Sequence, residues 1–436
     1  MRKLFFALSI FMLGLFVYSC TEEENPQYEL SNVKIQLVYP EGSGYSAVEG
    51  VEVTLKNASS GDVFSEKTSA EGIAQLQVPK GIYEASASEQ RVVDAEVYLF
   101  NGVNSNVNAS TENVEAVINL ELSKGGSVVI KELYVGGCPK DDGSGTFSQD
   151  KYVILYNNSS ATIDISDFAL AMVNPFNSHG TNKDYVNGEL FYAAEGWIPA
   201  GNGLWYFETD VKLKSGKQIV IALCGAVDHT KTYSQSINFA NGEYYCCYDV
   251  EDYDNTAYYP TPSEVIPTEH YLKVYSYGLG NAWPLSNSSP AFYIVRPQGT
   301  TLKDFVDNPE NENTYGTNQM RRKVPVEWVV DGIEVFTKGK TNNQKRLLPV
   351  IDAGYVELTS SQGYTLYRNV DKEATEAIKE NEGKLVYNYS LGVDGSTDPS
   401  GIDAEASIKN GARIVYKDTN NSTDDFHQRS KASLRN

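Results

Sequence analysis

Between Asp228 and His270 the chain gathers its densest set of reactive side chains. His229, Glu243, Cys246, Cys247, Asp249, Glu251, Asp252, Asp254, Glu269 and His270 are interleaved with Tyr244, Tyr245, Tyr248, Tyr253, Tyr258 and Tyr259. Imidazole and thiolate hold borderline and soft metals, carboxylates hold calcium, and tyrosine offers an apolar ring with a hydrogen-bonding end. The stretch therefore reads as a candidate capture surface, with His229, His270, Tyr244, Tyr245, Asp252 and Asp254 as its ligand-binding residues. Its spacing matches no metal loop. Asp249-Val250-Glu251-Asp252-Tyr253-Asp254-Asn255 lacks the glycine and the distal glutamate of a helix-loop-helix calcium site, so the metal is unknown. The plainer reading is that the acids solvate an exposed loop and that His229 caps or packs at a strand end.

No catalytic signature accompanies these residues. The chain has no His-Glu-x-x-His zinc motif, no Gly-x-Ser-x-Gly elbow and no paired-cysteine zinc framework. Gly339-Lys340-Thr341 imitates the end of a phosphate-binding loop, but Glu334 stands where the first glycine belongs. The strand Gly332 to Phe336 runs straight into this turn, so a β-hairpin is expected. The reading is of a non-enzyme with no catalytic residue and no cofactor beyond an acyl anchor.

That anchor is read from the first 24 residues. Arg2 and Lys3 precede the apolar run Leu4 to Val17, which ends at Tyr18-Ser19-Cys20. The arrangement is that of a secretory signal peptide, and the apolar run is too short for a retained membrane helix. Val17-Tyr18-Ser19-Cys20 resembles a bacterial lipobox, which implies cleavage before Cys20 and a diacylglycerol on its thiol. Glu22, Glu23 and Glu24 resemble the export signal of Bacteroidetes-type surface lipoproteins, which implies an outward-facing place on the outer membrane.

Without residues 1–19 the chain carries 34 basic and 57 acidic residues, a formal charge of −23. Nucleic-acid binders carry clustered positive charge, so that class of partner is excluded. Cys138, Cys224, Cys246 and Cys247 remain beyond Cys20, and an oxidising compartment permits three full pairings. The adjacent Cys246 and Cys247 point to opposite sides of a strand and are not expected to bond each other.

The elements that position these residues read as all-β. Val33 to Leu37, Val51 to Leu55 and Ile73 to Val78 alternate apolar and polar, the period of half-buried strands. Further strands are expected at Gly81 to Ala85, Val93 to Leu99 and Ala116 to Leu122. The phrases Gly50-Val51-Glu52-Val53-Thr54-Leu55, Thr68-Ser69-Ala70-Glu71-Gly72-Ile73-Ala74 and Val78-Pro79-Lys80-Gly81-Ile82-Tyr83 resemble the transthyretin-like or carboxypeptidase-regulatory-like β-sandwich. The resemblance implies an immunoglobulin-like spacer with no catalysis.

Ser123-Lys124-Gly125-Gly126 marks a boundary. Beyond it Tyr152 to Asn158, Ala161 to Leu170, Gly363 to Arg368 and Asp418 to Phe426 resemble, divergently, the opening and closing phrases of the immunoglobulin-like lamin-tail fold. The expected organisation is a signal peptide at 1–19, a lipidated acidic tether at 20–28, an amino-terminal sandwich at 29–124, and a lamin-tail-like sandwich at 127–436 with an insertion at about 172–350. From lipobox to Asp424-Asp425-Phe426 the chain resembles uncharacterised Bacteroidetes-type lipoproteins found beside TonB-dependent outer-membrane receptors. This implies a surface accessory to such a receptor that captures a scarce nutrient, whether a metal, a metal chelate or a haem-like compound. A glycan-binding surface lipoprotein is the alternative, and a structural or adhesive role a weaker one.

Overall fold

The computed structural model describes residues 29–93, 96–124, 126–314 and 320–435. The signal peptide, Cys20 and Glu22 to Glu24 lie outside the described residues. The protein is all-β with a few short helices, and among the described residues no helix is long and apolar enough to cross a membrane.

Eight strands make the amino-terminal sandwich: β1 (Leu30–Val38), β2 (Glu52–Asn57), β3 (Val63–Lys67), β4 (Ile73–Pro79), β5 (Gly81–Val93), β6 (Glu96–Ala109), β7 (Asn113–Asn119) and β8 (Glu121–Lys124). They form a three-stranded sheet, β4-β1-β7, facing a five-stranded sheet, β3-β2-β5-β6-β8. Alternation builds the core, because Val33, Ile35 and Leu37 point inward with Val53, Leu55, Leu76 and Tyr83. The segment Val93 to Leu99 is not one strand. It spans the end of β5 and the start of β6, the two arms of a long hairpin. Gly102 in β6 passes so close under the other sheet that a Cβ there would stand 2.4 Å from the carbonyl oxygen of Asn119.

The second body is a twelve-stranded sheet. Its strands in chain order are β9 (Val128–Tyr134), β10 (Tyr152–Asn157), β11 (Ala169–Met172), β12 (Gly203–Tyr206), β13 (Gln218–Ala222), β14 (Tyr245–Cys247), β15 (Tyr271–Ser276), β16 (Ala291–Val295), β17 (Val329–Thr337), β18 (Val356–Leu358), β19 (Thr365–Arg368) and β20 (Phe426–Arg429). In space they run β18-β17-β16-β11-β12-β15-β14-β13-β10-β9-β19-β20. One face of every part of this sheet feeds a single core, in which Ile130, Leu155, Leu170, Trp205, Ile221, Phe292, Val335 and Phe426 are all buried. The sheet therefore folds onto itself as a sandwich, with β17 packed against β9. Its outer face is covered by three further apolar clusters.

The opening strand β9 pairs directly with β19, which in turn carries the closing strand β20, although about 230 residues separate Leu133 from Leu366 along the chain. The middle of the chain is not a separate insert. β11 to β17 are hydrogen-bonded members of the same sheet, because burying their apolar faces against β9, β10 and β19 forms one core instead of two. The expected hairpin after Phe336 is also corrected. Gly339, at φ +77°, turns the chain as foreseen, but the chain returns through a long loop and β18 pairs parallel to β17. A two-residue hairpin turn can join only antiparallel strands.

The two bodies touch through specific contacts. Asn101 Nδ2 donates to the carbonyl of Thr419 at 2.7 Å, Gly126 N–H donates to Asp418 at 3.0 Å, and Lys56 bonds the hydroxyl of Tyr355. Each such bond contributes about 1 kcal/mol net. A fragment beginning at Ser127 retains every strand of the large sheet. It is expected to unfold in one cooperative transition with a β-type circular dichroism spectrum, about 1–3 kcal/mol less stable than the full chain. A fragment with no cooperative transition would show that the amino-terminal sandwich completes the larger core.

Candidate functional site

The stretch from Asp228 to His270 divides between core and solvent. His229 sits in a one-turn helix capped by Asp228, half-buried between Phe147 and Phe239. Its Nε2 meets the carbonyl of Gly225 at 2.5 Å, and burial lowers its pKa. His270 lies elsewhere. Its Nδ1 meets the carbonyl of Tyr244 at 3.1 Å, and its ring stacks on Tyr245 at 4.1 Å. Asp252 accepts from Ser276 Oγ, and both Asp252 and Asp254 are exposed. The six candidates do not converge on one point. Among the described residues no group of three or more His, Cys, Asp or Glu side chains is placed to hold a metal ion.

The remaining members have structural partners. Asp249 is buried and accepts from the N–H of Val274 at 3.2 Å, pinning the loop to β15. Tyr253 and Tyr259 pack on Trp205, and Tyr253 donates to the carbonyl of Asn202 at 2.8 Å. Cys246 and Cys247 do point to opposite faces, into different clusters, and all four described cysteines are free and buried. Burial pushes the Cys246 thiol up to about 12, so it is a poor thiolate ligand. The partly exposed aromatic pairs Tyr206–Tyr275 and Tyr245–His270 stack face to face at 4.3 and 4.1 Å, which spends one face of each ring on its neighbour.

A different place has the form of a binding site. Where the two bodies meet, a cleft of about 710 Å³ is lined by Leu122 and Tyr98 of the small sandwich and by Gln298, Val326, Glu327, Val329, Val330, Asp331, Val350, Ile351 and Asn420 of the large one. Clefts at such junctions, apolar with a few fixed polar groups, are where small ligands are held.

Its walls are rigid for identifiable reasons. Trp328 is buried against Phe305 at 4.9 Å and anchors the turn that presents Val326 and Glu327. Gln298 Nε2 donates to the carbonyl of Glu327 at 2.7 Å, and Asn420 Nδ2 donates to that of Val350 at 3.1 Å. Asp331 is the most buried lining residue, at 3% exposure. Its carboxylate accepts from Ile130 N–H at 2.6 Å and from Gly332 N–H at 2.8 Å, and it pairs with Arg368.

Behind Asp331 lies an unusual charge balance. The buried Arg368 guanidinium also faces Asp418 at 3.3 Å and Asp425 at 3.6 Å, so one cation serves three buried carboxylates. Burial, only partly offset by Arg368, pushes Asp331 up to about 7 and Asp425 up to about 8, and it raises Asp418 as well. The same acids hold the 418–425 segment, since Asp425 accepts from the N–H of Thr419 at 2.8 Å. That segment carries Asn420 into the cleft and Thr419 onto Asn101 of the small sandwich.

Sequence reasoning did not find this cleft. Its lining comes from widely separated stretches, and only the pairing of distant strands brings them together. The local signal available was Val326 to Asp331, an apolar run interrupted by charges at a strand entry.

A search of curated proteins finds no match to the chain. Among solved structures, the crystal structure of a DUF4876 family protein from Bacteroides thetaiotaomicron VPI-5482 at 2.50 Å resolution is similar, with a TM-score of 0.53 and 20% identity over 91% of this chain and 94% of that one. At that identity the likeness concerns the fold. Residues 214–390, which include most of the cleft lining, match the family model described as a protein of unknown function, DUF4876.

Proposed function

We propose that this protein is a non-enzymatic surface lipoprotein that captures a small, largely apolar nutrient in the cleft between its two bodies, as an accessory to a TonB-dependent outer-membrane receptor. The observation that carries the reading is the 710 Å³ apolar cleft at the junction. Burying roughly 100 Å² of apolar ligand surface against its walls would contribute about 2.5 kcal/mol before the cost of association. Among the sequence-derived ligand classes, the cleft suits an organic compound or metal chelate better than a bare ion, whose ligands would have to converge. The acyl chain on Cys20 and Glu22 to Glu24 supply the address. The transthyretin-like sandwich serves as the spacer that lifts the lamin-tail-like body from the membrane and also forms one wall of the cleft.

Titration calorimetry of the full mature chain against divalent metals, metal chelates, haem and representative glycans tests this reading. Heat is expected with an organic ligand or chelate and is expected to vanish in Val330→Trp, which fills the cleft. Heat only with glycans, or heat untouched by that substitution, would reject the cleft as the capture site. Cys20→Ala is expected to abolish acyl incorporation and release the protein from the membrane fraction, and unchanged acylation would refute the anchor.

A further inference from the structure

The charges around the cleft are one-sided. Glu327 stands exposed at its rim and Asp331 is buried in its wall, whereas no lysine or arginine lines it among the described residues. The carboxylate of Glu121, on the strand that supplies Leu122, lies by the backbone of Val350. Three cations nearby are already engaged. Arg368 faces three aspartates, Arg296 pairs with Asp167 at 2.9 Å, and Lys345 donates to the carbonyls of Asp352 and Gly354. The rest of the molecule adds to the same sign, with a formal charge of −21 for the whole chain. A cleft with walls of low polarity concentrates such a field.

We infer that the ligand of this cleft is an amphipathic organic cation, or a metal chelate of net positive charge, held by the valine walls and oriented by Glu327. The inference rests on the cleft being the capture site. It disfavours ligands that carry carboxylates or phosphates, including a haem with free propionates, because no cation lines the cleft to pair them and Glu327 stands at its rim.

Three fluorescent probes of comparable size separate the charge from the cavity: the cation rhodamine 6G, the neutral dye Nile red and the anion 1-anilinonaphthalene-8-sulfonate. Each is titrated into the full mature chain. Rhodamine 6G is expected to bind one to one and to be displaced by Nile red, with the anion weaker by roughly tenfold or more. Glu327→Lys should weaken rhodamine 6G by roughly tenfold and leave Nile red within about twofold, while Glu327→Gln should fall between. Glu327 is exposed, so both variants are expected to keep the parent melting temperature. Equal or tighter binding of the anion, or an unchanged rhodamine 6G affinity in Glu327→Lys, overturns the charge preference while leaving the cleft in place. Binding of none of the three sinks both the preference and the capture reading.

Discussion

Arg368→Leu is expected to destabilise the protein by roughly 3–5 kcal/mol near neutral pH, a fall in melting temperature of roughly 6–20 °C. The substitution removes the one guanidinium shared by Asp331, Asp418 and Asp425, together with its bonds to the carbonyls of Ile130 and Lys417 at 2.8 and 3.0 Å. Three buried carboxylates are then left without a counter-charge. The loss should shrink at pH 5, where those groups take up protons, and widen at pH 8. A destabilisation independent of pH would mean that the packing of Arg368 on Phe426, at 4.4 Å, matters more than its charge.

The parent protein should carry the same signature with its sign fixed by the folded-state shifts. Asp331 at about 7 and Asp425 at about 8 lie above the roughly 3.9 of an unfolded aspartate. The folded state therefore holds protons that the unfolded state has lost, and this contribution, complete only below about 3.9, is lost progressively as pH rises from there through 7 and 8. His427 acts at the other end. Burial and the neighbouring Arg429 lower it to about 3, so stability is lost as pH falls below roughly 6.5 and the unfolded imidazole becomes charged. Because two aspartate protons outweigh the one histidine, these groups are expected to make melting temperatures fall steadily between about pH 5 and 8, and a rise from pH 6 to 9 would contradict the shared-proton network.

The second large effect is expected at Arg346. It is fully buried and pairs with the fully buried Glu334, Nε at 3.0 Å and Nη2 at 2.6 Å, and it also donates to the carbonyls of Pro175, Phe176 and Ser289. Arg346→Met strands a carboxylate that is fully buried, so a loss of roughly 3–5 kcal/mol is expected. The informative comparison is Arg346→Met with Glu334→Gln. Glu334 Oε2 accepts the backbone N–H of both Arg346 and Leu347 at 2.8 Å, and glutamine keeps an acceptor there while removing the charge. The double variant should recover about half of the loss or more in chemical denaturation. No recovery would assign the cost to the three orphaned carbonyls instead.

What could be read from the sequence follows from how local each feature is. Val33 to Leu37 and Ile73 to Val78 announce themselves because each strand's burial is written in its own period. β3 was missed because Val63 to Lys67 is an exposed edge with almost no buried side chain, so it has no pattern to show. β14 was read only as a cluster of reactive groups, since three residues are too few for a period. The same shortness explains the misplaced emphasis on 228–270. Its tyrosines and Asp249 are spent on core and backbone, which composition cannot reveal. The cleft needed Tyr98, Gln298, Val330 and Asn420 to meet, and no local spacing encodes a meeting across more than three hundred residues.

β14 also has a mechanical meaning. Within the strand ladder it joins two blocks of six and five strands, and it pairs parallel to β13 through Tyr245 and Cys246 and to β15 through Cys246 and Cys247. The chain crosses between the blocks repeatedly, with β13 left on one side and β11, β12 and β15 to β18 on the other. Neither block can be lifted out as a continuous piece of polypeptide. Under a pulling force or in native-state hydrogen exchange, the amides of Tyr245 to Cys247 should open before those of β10 or β16, so the molecule would yield first along a line three residues wide and then hold, its halves still laced together by their own connections.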